Sequence, residues 1–408
     1  MSCHTRKRDK LLLFFIIPNT RPVYKSFLHM DFQILFSLSV FPIVLFMEEL
    51  SGIIAVMKKN KTILWSLVAI LISGLTIYAV FSNSRQLSLA DIKEALRSSS
   101  RLWLAMAFLC VLSFIVFEML AILWVLKHLG YKRSIHQGLM YSAGDIYFSA
   151  ITPSASGGQP VSAFFMHQDT IPSAVISVTL VINLIMYTLA ILVIGIFCIT
   201  LGFKTFLLFN HFSHFLIIFG MAALTVLALF FYTVLRRSEI LHRFGIAAIE
   251  LLSKLHVLKN EKGWKDRLER VIREYSVYAK ALSGKRRMLV VLFLLNLLQR
   301  ISQITVTPMI YFAIHGKRAK NGMLLWIIQA FSQIGSNCVP IPGGVGVADY
   351  LMLDGFNTLF VGDYANKLEI LSRGMSFYIC TLTSGIIILI GALWRRRRSN
   401  GKEATGVL

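Results

Sequence analysis

Apolar positions along this chain come in unbroken runs rather than in stripes. At 62–82, 102–126, 173–200, 215–235, 288–314 and 370–394 they continue with few charges between them. A span of ~30 Å of hydrocarbon takes about 20 helical residues, so each run predicts a membrane-crossing helix. A shorter run, "FQILFSLSVFPIVLF" at 32–46, falls short of that length, and no small-residue cleavage site follows it. Met57 opens "MKKNKTILWSLVAI", a basic flank leading into a full span. The pattern divides the chain into an N-terminal extension over 1–56, a membrane domain over 57–398 and a tail over 399–408. Met57 reads as the natural start, and one extra interfacial or spanning helix in 1–56 is the alternative.

Two stretches interrupt the apolar pattern. "TPSASGGQP" lies within 134–169 and "CVPIPGGVGVADY" within 322–362. Proline lacks a backbone donor and glycine stabilises helices poorly. Broken backbone survives at membrane depth only where protein or a wet cavity covers it. Each stretch therefore predicts a re-entrant pair of half-helices. An offset of 186 residues relates Gly157-Gly158 to Gly343-Gly344, and also Arg101 to Arg287, Gly130 to Gly316, Val161 to Val347 and Met166 to Met352. Feature order repeats as well: span, basic turn, Gly-Gly break, short helix, span. The expected fold is an all-α polytopic membrane protein, an inverted repeat with two re-entrant, Gly/Pro-broken helix pairs. Such repeats place transporter substrate sites near the bilayer midplane.

Charge sharpens the topology. Lys+Arg exceeds Asp+Glu by 42 to 20, a net +22, and hydrophobic residues make up 56%. The basic residues sit between spans: 236–287 holds 14 Lys/Arg against 6 Asp/Glu, and "RRRR" follows the last span at 395–398. This placement favours a cytoplasmic side facing anionic lipid over a nucleic-acid partner. "HGKRAKN" at 315–321 falls outside in the same topology and conflicts with it locally. Residues 245–282 are amphipathic, which predicts a helix lying on the inner leaflet. The five cysteines are an odd number, and four lie in apolar segments, so they read as small core residues. No metal-ligand spacing, P-loop or dinucleotide motif is present, and no cofactor is expected.

Candidate chemistry sits at the breaks and at charges inside spans. The short helices after Gly158 and Gly344 begin with "QPVSAFFM" and "VGVADYLML", and helix N-termini suit an anion such as a phosphate. The alternative role for these glycines is close helix packing. Intramembrane charges are costly and face a partner or a cavity. Counting about 1.5 Å per residue puts Arg300 about 20 Å into its span and Asp145 about 15 Å in, with Glu118 near the inner boundary. Asp145 is thus the expected partner of Arg300, as a structural pair or in a substrate path. The candidate lipid-binding residues are Asp145, Gly157, Gly158, Gln159, Arg300, Pro340, Pro342, Gly343, Gly344 and Asp349.

At "TPSASGGQP" and "PIPGGVGVAD" the chain resembles the transmembrane flippase domain of lysylphosphatidylglycerol synthase, the multiple peptide resistance factor, over about 57–398. Where the family usually has Glu after "GGVGVA", this chain has Asp349. The resemblance implies a multi-pass protein of the bacterial plasma membrane, with basic loops and C-terminus cytoplasmic. It would translocate or bind an anionic or aminoacylated phospholipid, contributing to resistance to cationic antimicrobial peptides. In full-length relatives a soluble domain transfers lysine from lysyl-tRNA to phosphatidylglycerol. This chain ends ten residues after "RRRR", which argues against that domain here. A phosphatidylglycerol lysyltransferase and a small-solute secondary transporter are the rival functions. A homo-oligomer and a separate synthase are the partners left open.

Overall fold

The computed structural model describes residues 97–152, 155–254, 261–314, 319–337, 339, 341–360 and 363–404. The extension 1–56, the span at 62–82, Cys338, Pro340 and the first four residues of the 315–321 turn lie outside that set. Among the described residues, helices α1 (Arg101–His128), α2 (Ile135–Ile151), α3 (Gly158–Gln168) and α4 (Ser173–Leu201) come first. A short α5 (Phe203–Leu207) and α6 (His211–Arg236) follow, then α7 (Ser238–Lys254) and α8 (Glu261–Ser283). The remainder comprises α9 (Arg286–Ala313), α10 (Ala319–Ser336), α11 (Val347–Asn357), α12 (Asp363–Arg373) and α13 (Cys380–Ala404).

Among the described residues five helical stretches are long and apolar enough to cross a membrane: 101–128, 173–201, 211–236, 286–313 and 363–395. Their outward faces carry large apolar side chains such as Phe215, 60% exposed, and Ile390, 62% exposed. Water would penalise such a surface and lipid does not. This is a multi-pass membrane protein.

The spans pack around α1 and α9, which lie along one another. Their contacts run antiparallel: the Ser100 amide donates to the Ala313 carbonyl at 2.8 Å, and the Trp124 indole donates to the Met288 carbonyl at 3.3 Å. Element lengths match on the two sides of this axis. The 28-residue α1 is followed by helices of 17, 11 and 29 residues, and the 28-residue α9 by helices of 18 and 11 residues and the long 363–395 stretch. In both halves the span packs on the first short helix, and the two short helices pack on one another. One core gathers Ile122, Leu126, Tyr141, Met166 and Ile176 from α1–α4. A larger one joins Ile310, Phe331, Leu351 and Phe356 of α9–α11 to Ile115 of α1, Cys198 of α4 and Leu216 of α6, so the two halves share a core.

Local sequence explains the short helices. Ser134 caps α2, its hydroxyl accepting from the Gln137 amide at 3.4 Å while the Gln137 side chain accepts from the Ser134 amide at 3.0 Å. This reciprocal pairing satisfies two donors that a helix start leaves open. Pro160 lies in the first turn of α3, where a missing N–H costs nothing.

The amphipathic region departs from the expected single surface helix. It forms two helices, α7 and α8, packed on each other, with α8 also against α4. Trp264, Leu268, Ile272 and Tyr275 of α8 join a core with Val125, Val178, Ile182 and Leu292. Protein, rather than lipid, covers much of that apolar stripe.

Candidate functional site

The α2–α3 break is covered by a threonine. The Thr152 hydroxyl donates to the Phe148 carbonyl at 2.6 Å and accepts from the Gly157 amide at 2.8 Å, bridging the two helices. Beyond it, Asp145 of α2 is 9% exposed. Its carboxylate accepts from the Gln159 side chain at 3.0 Å and from the Ser149 hydroxyl at 3.2 Å. Gly158 presses against this acid: a Cβ there would collide with the Asp145 carboxylate and the Ser149 hydroxyl. The N-terminus of α3 thus lies against the Asp145 carboxyl group.

The second break is built differently. Gly343, Gly344 and Gly346 have φ of +60°, +62° and +84°, values that side chains with a Cβ rarely adopt. The Asp349 carboxylate accepts from the Gly346 amide at 2.8 Å, capping α11. Its other oxygen faces Arg373 Nε at 2.5 Å. Arg373 also donates to the Gly343 carbonyl at 3.2 Å and lies over the Phe377 ring. One arginine of α12 therefore holds both the turn and the following half-helix. A π-helical turn, Gly374–Ile379, follows it inside the last span. The turn Pro342–Gly344 packs against α2 of the first broken pair.

Next to them lies a polar chain that crosses three spans. Asn296 donates to Asn183 at 3.0 Å, Asn183 donates to Glu118 at 2.9 Å, and Gln299 donates to the other Glu118 oxygen at 2.5 Å. All four are buried. Arg300 follows on α9, 8% exposed. Its guanidinium sits 4.0 Å from the Tyr187 ring centroid and 5.1 Å from that of Phe114, and donates to Gln303 at 2.7 Å. Its Nε is buried without a hydrogen-bond partner.

Asp145 and Arg300 do not pair: among the described residues no carboxylate lies within 4.0 Å of the Arg300 guanidinium. The expected ion pair is corrected to a local amide and hydroxyl cradle around Asp145 and an aromatic sandwich around Arg300. Glu118 is buried within the protein, and ten residues of α1, about 15 Å, separate it from the helix end at His128. Gly157, Gly158, Gln159 and Asp145 come together at one break, and Pro342, Gly343, Gly344 and Asp349 at the other; Pro340 lies outside the described residues. Sequence reasoning passed over Asn183, Asn296, Gln299, Tyr187, Glu369 and Arg373. The amides were visible as polar residues inside apolar runs. Arg373, near the start of the last run, had the look of a basic flank.

The family model for the lysylphosphatidylglycerol synthase TM region matches residues 65–384, well over half of the chain. The chain belongs to that family. Both breaks, the polar chain and Arg300 fall inside the matched region. No curated protein matches the chain.

Proposed function

We propose that this protein translocates phospholipids with charged headgroups, aminoacylated phosphatidylglycerol foremost, across the bacterial plasma membrane. By altering surface charge it would contribute to resistance against cationic peptides. In this reading 57–398 is the functional domain. The halves that begin with α1 and α9 are inverted in the bilayer, their broken pairs re-enter from opposite faces, and the basic loops face the cytoplasm.

The observation that carries the reading is Arg300. A buried cation with no carboxylate at ion-pair distance among the described residues is costly, and an arriving anion would offset that cost. Its flat faces are covered by Tyr187 and Phe114, while its Nε is unpartnered. A guanidinium is well suited to phosphate oxygens. Asp145 and Glu118 lie close enough to interact electrostatically with Arg300 yet outside ion-pair distance. That spacing suits a headgroup carrying a phosphate and an ammonium, with Asp145, Gln159 and the glycines of both breaks lining the path.

The test uses proteoliposomes with fluorescent phospholipids of several headgroups, read by quenching from one leaflet. Losing a charge-assisted hydrogen bond costs about 1.5–3 kcal/mol, so Arg300→Leu should slow translocation roughly tenfold to a hundredfold, and Arg300→Lys less. Wild-type rates in a well-folded Arg300→Leu protein defeat the reading. Formation of lysyl-lipid from lysyl-tRNA, or solute uptake without lipid movement, would establish one of the rivals instead.

A further inference from the structure

The last membrane-crossing stretch is fastened at both ends. Near its start, Arg373 pairs with Asp349 at 2.5 Å and donates to the Gly343 carbonyl at 3.2 Å, holding the second broken segment. At its far end, Arg395 pairs with Asp169 at 3.0 Å and donates to the Gln168 side chain at 2.9 Å. Asp169 closes α3 and also accepts from the Tyr141 hydroxyl of α2 at 2.5 Å, so Arg395 holds the far end of the first broken segment. Arg133 completes that corner, donating to the Asp169 carbonyl at 2.8 Å. Residues 374–394, between the two arginines, include no charged side chain. At about 1.5 Å per residue they reach about 30 Å, the thickness of the hydrocarbon layer, so the two clasps lie toward opposite faces. Between the clasps, next to Arg373, sits the π-helical turn Gly374–Ile379.

A π turn holds one residue more than the α turn it replaces. Each residue of an α-helix turns the chain by about 100° and advances it by about 1.5 Å. If the wide turn closed into regular α-helix, Arg373 and Arg395 would fall out of their common register by about that amount, and one clasp would miss its acid. We propose that the last span is a register switch between the two broken segments. With the π turn formed both clasps close; with the turn drawn into α-helix only one of them can, so opening of one segment favours closure of the other. Packing decides which end turns. Helix α13 lies so close on α2 that a Cβ at Gly385 or Gly391 would meet Tyr147 or Met140. While Arg395 holds Asp169, α13 is keyed to the first segment, the register change falls on α12, and Arg373 leaves Asp349 and the Gly343 carbonyl. Once Arg395 lets go, α13 turns instead and Arg373 stays. This deepens the transport reading, on which it rests, by giving the two faces alternate opening.

Hydrogen exchange over 158–168 and 341–357, in the full-length protein in phosphatidylglycerol-containing nanodiscs, tests this. Arg395→Gln removes the first clasp. Protection should fall over 158–168 and rise over 341–357, each by up to about tenfold, the scale of one charge-assisted hydrogen bond. Arg373→Gln should do the reverse. Deleting Gly374, where a side chain would meet nothing, takes out the additional residue and leaves a regular helix with both arginines on their acids. In that background Arg395→Gln should still loosen 158–168 but no longer tighten 341–357. The deletion alone should keep both segments protected and abolish lipid translocation in proteoliposomes. Loosening of both segments in Arg395→Gln, or no change over 341–357, overturns the proposal, as does a rise there that survives the deletion. Should the deletion variant fail to fold, the opposed responses of Arg395→Gln and Arg373→Gln decide. Opposed responses in a protein that moves no lipid defeat the transport reading alone, and full translocation by the deletion variant defeats only the switch.

Discussion

The two broken segments solve one problem in opposite ways. In α2–α3 the interruption is stitched from within: Thr152 bridges the backbone, and Asp145 is held by Ser149 and Gln159 of the same segment. In α10–α11 the stitch comes from outside, from Arg373 of the next helix, which holds Asp349 and the Gly343 carbonyl. A self-contained break moves as a unit with its neighbours. A break tied across elements depends on side chains from its neighbours: Arg373 on Asp349, and Asp354 of α11 on Asn210 and Ser213 of α6. The two segments thus differ in what holds them, although both carry a Gly-Gly pair.

The largest effect that separates them is expected from charge removal. Arg373→Leu removes the cation that Asp349 and Glu369 both face and should cost up to about 3–5 kcal/mol, read by thermal unfolding in detergent; Asp349→Leu should cost less, since Glu369 remains beside Arg373, and the double variant should recover part of the loss. The same cycle on Asp145 and Arg300 should show little recovery, since these two do not pair. Equal recovery in both cycles would erase the distinction drawn here. Next in size is Gly158→Ala. The added methyl meets the Asp145 carboxylate and the Ser149 hydroxyl, and overpacking of this kind costs about 1–3 kcal/mol. Unaltered stability would mean that the first segment is looser than its hydrogen bonds indicate. The smallest is Gly346→Ala, where a Cβ enters open space and only the left-handed backbone resists, at about 1–2 kcal/mol. A larger loss there would place packing, not backbone geometry, at the centre of the second turn.

Much of the scaffold could be read from the chain because hydrophobic length is a one-dimensional property. The run at 173–200 became Ser173–Leu201, and 288–314 became Arg286–Ala313. The breaks were legible for a similar reason, since Gly-Gly and Pro act locally on the backbone. Partnership was not. Depth counted along separate helices put Asp145 opposite Arg300 and Glu118 at the margin, but lateral contact depends on how α1 and α9 rotate against each other. That rotation turns Glu118 toward Gln299 and lays Phe114 on Arg300. Arg373 was hidden by its position, because a cation near the start of an apolar run looks like an anchor. Only the packing of α11 on α12 turns it inward.

The closeness of α6 and α11 carries a consequence for the order of synthesis. Asp354, on α11, accepts from the Asn210 backbone amide at 3.0 Å and from the Ser213 hydroxyl at 2.5 Å, serving the opening turn of α6. Asn210 has no side-chain cap of its own for that helix. The residue that completes the turn follows it by 144 positions, with helices α7, α8, α9 and α10 lying between. On the ribosome, α6 emerges and enters the bilayer well before its capping acid has been translated. Its first turn is therefore finished late, by a piece of chain from the far half, and the two halves become interdependent as the nascent protein matures.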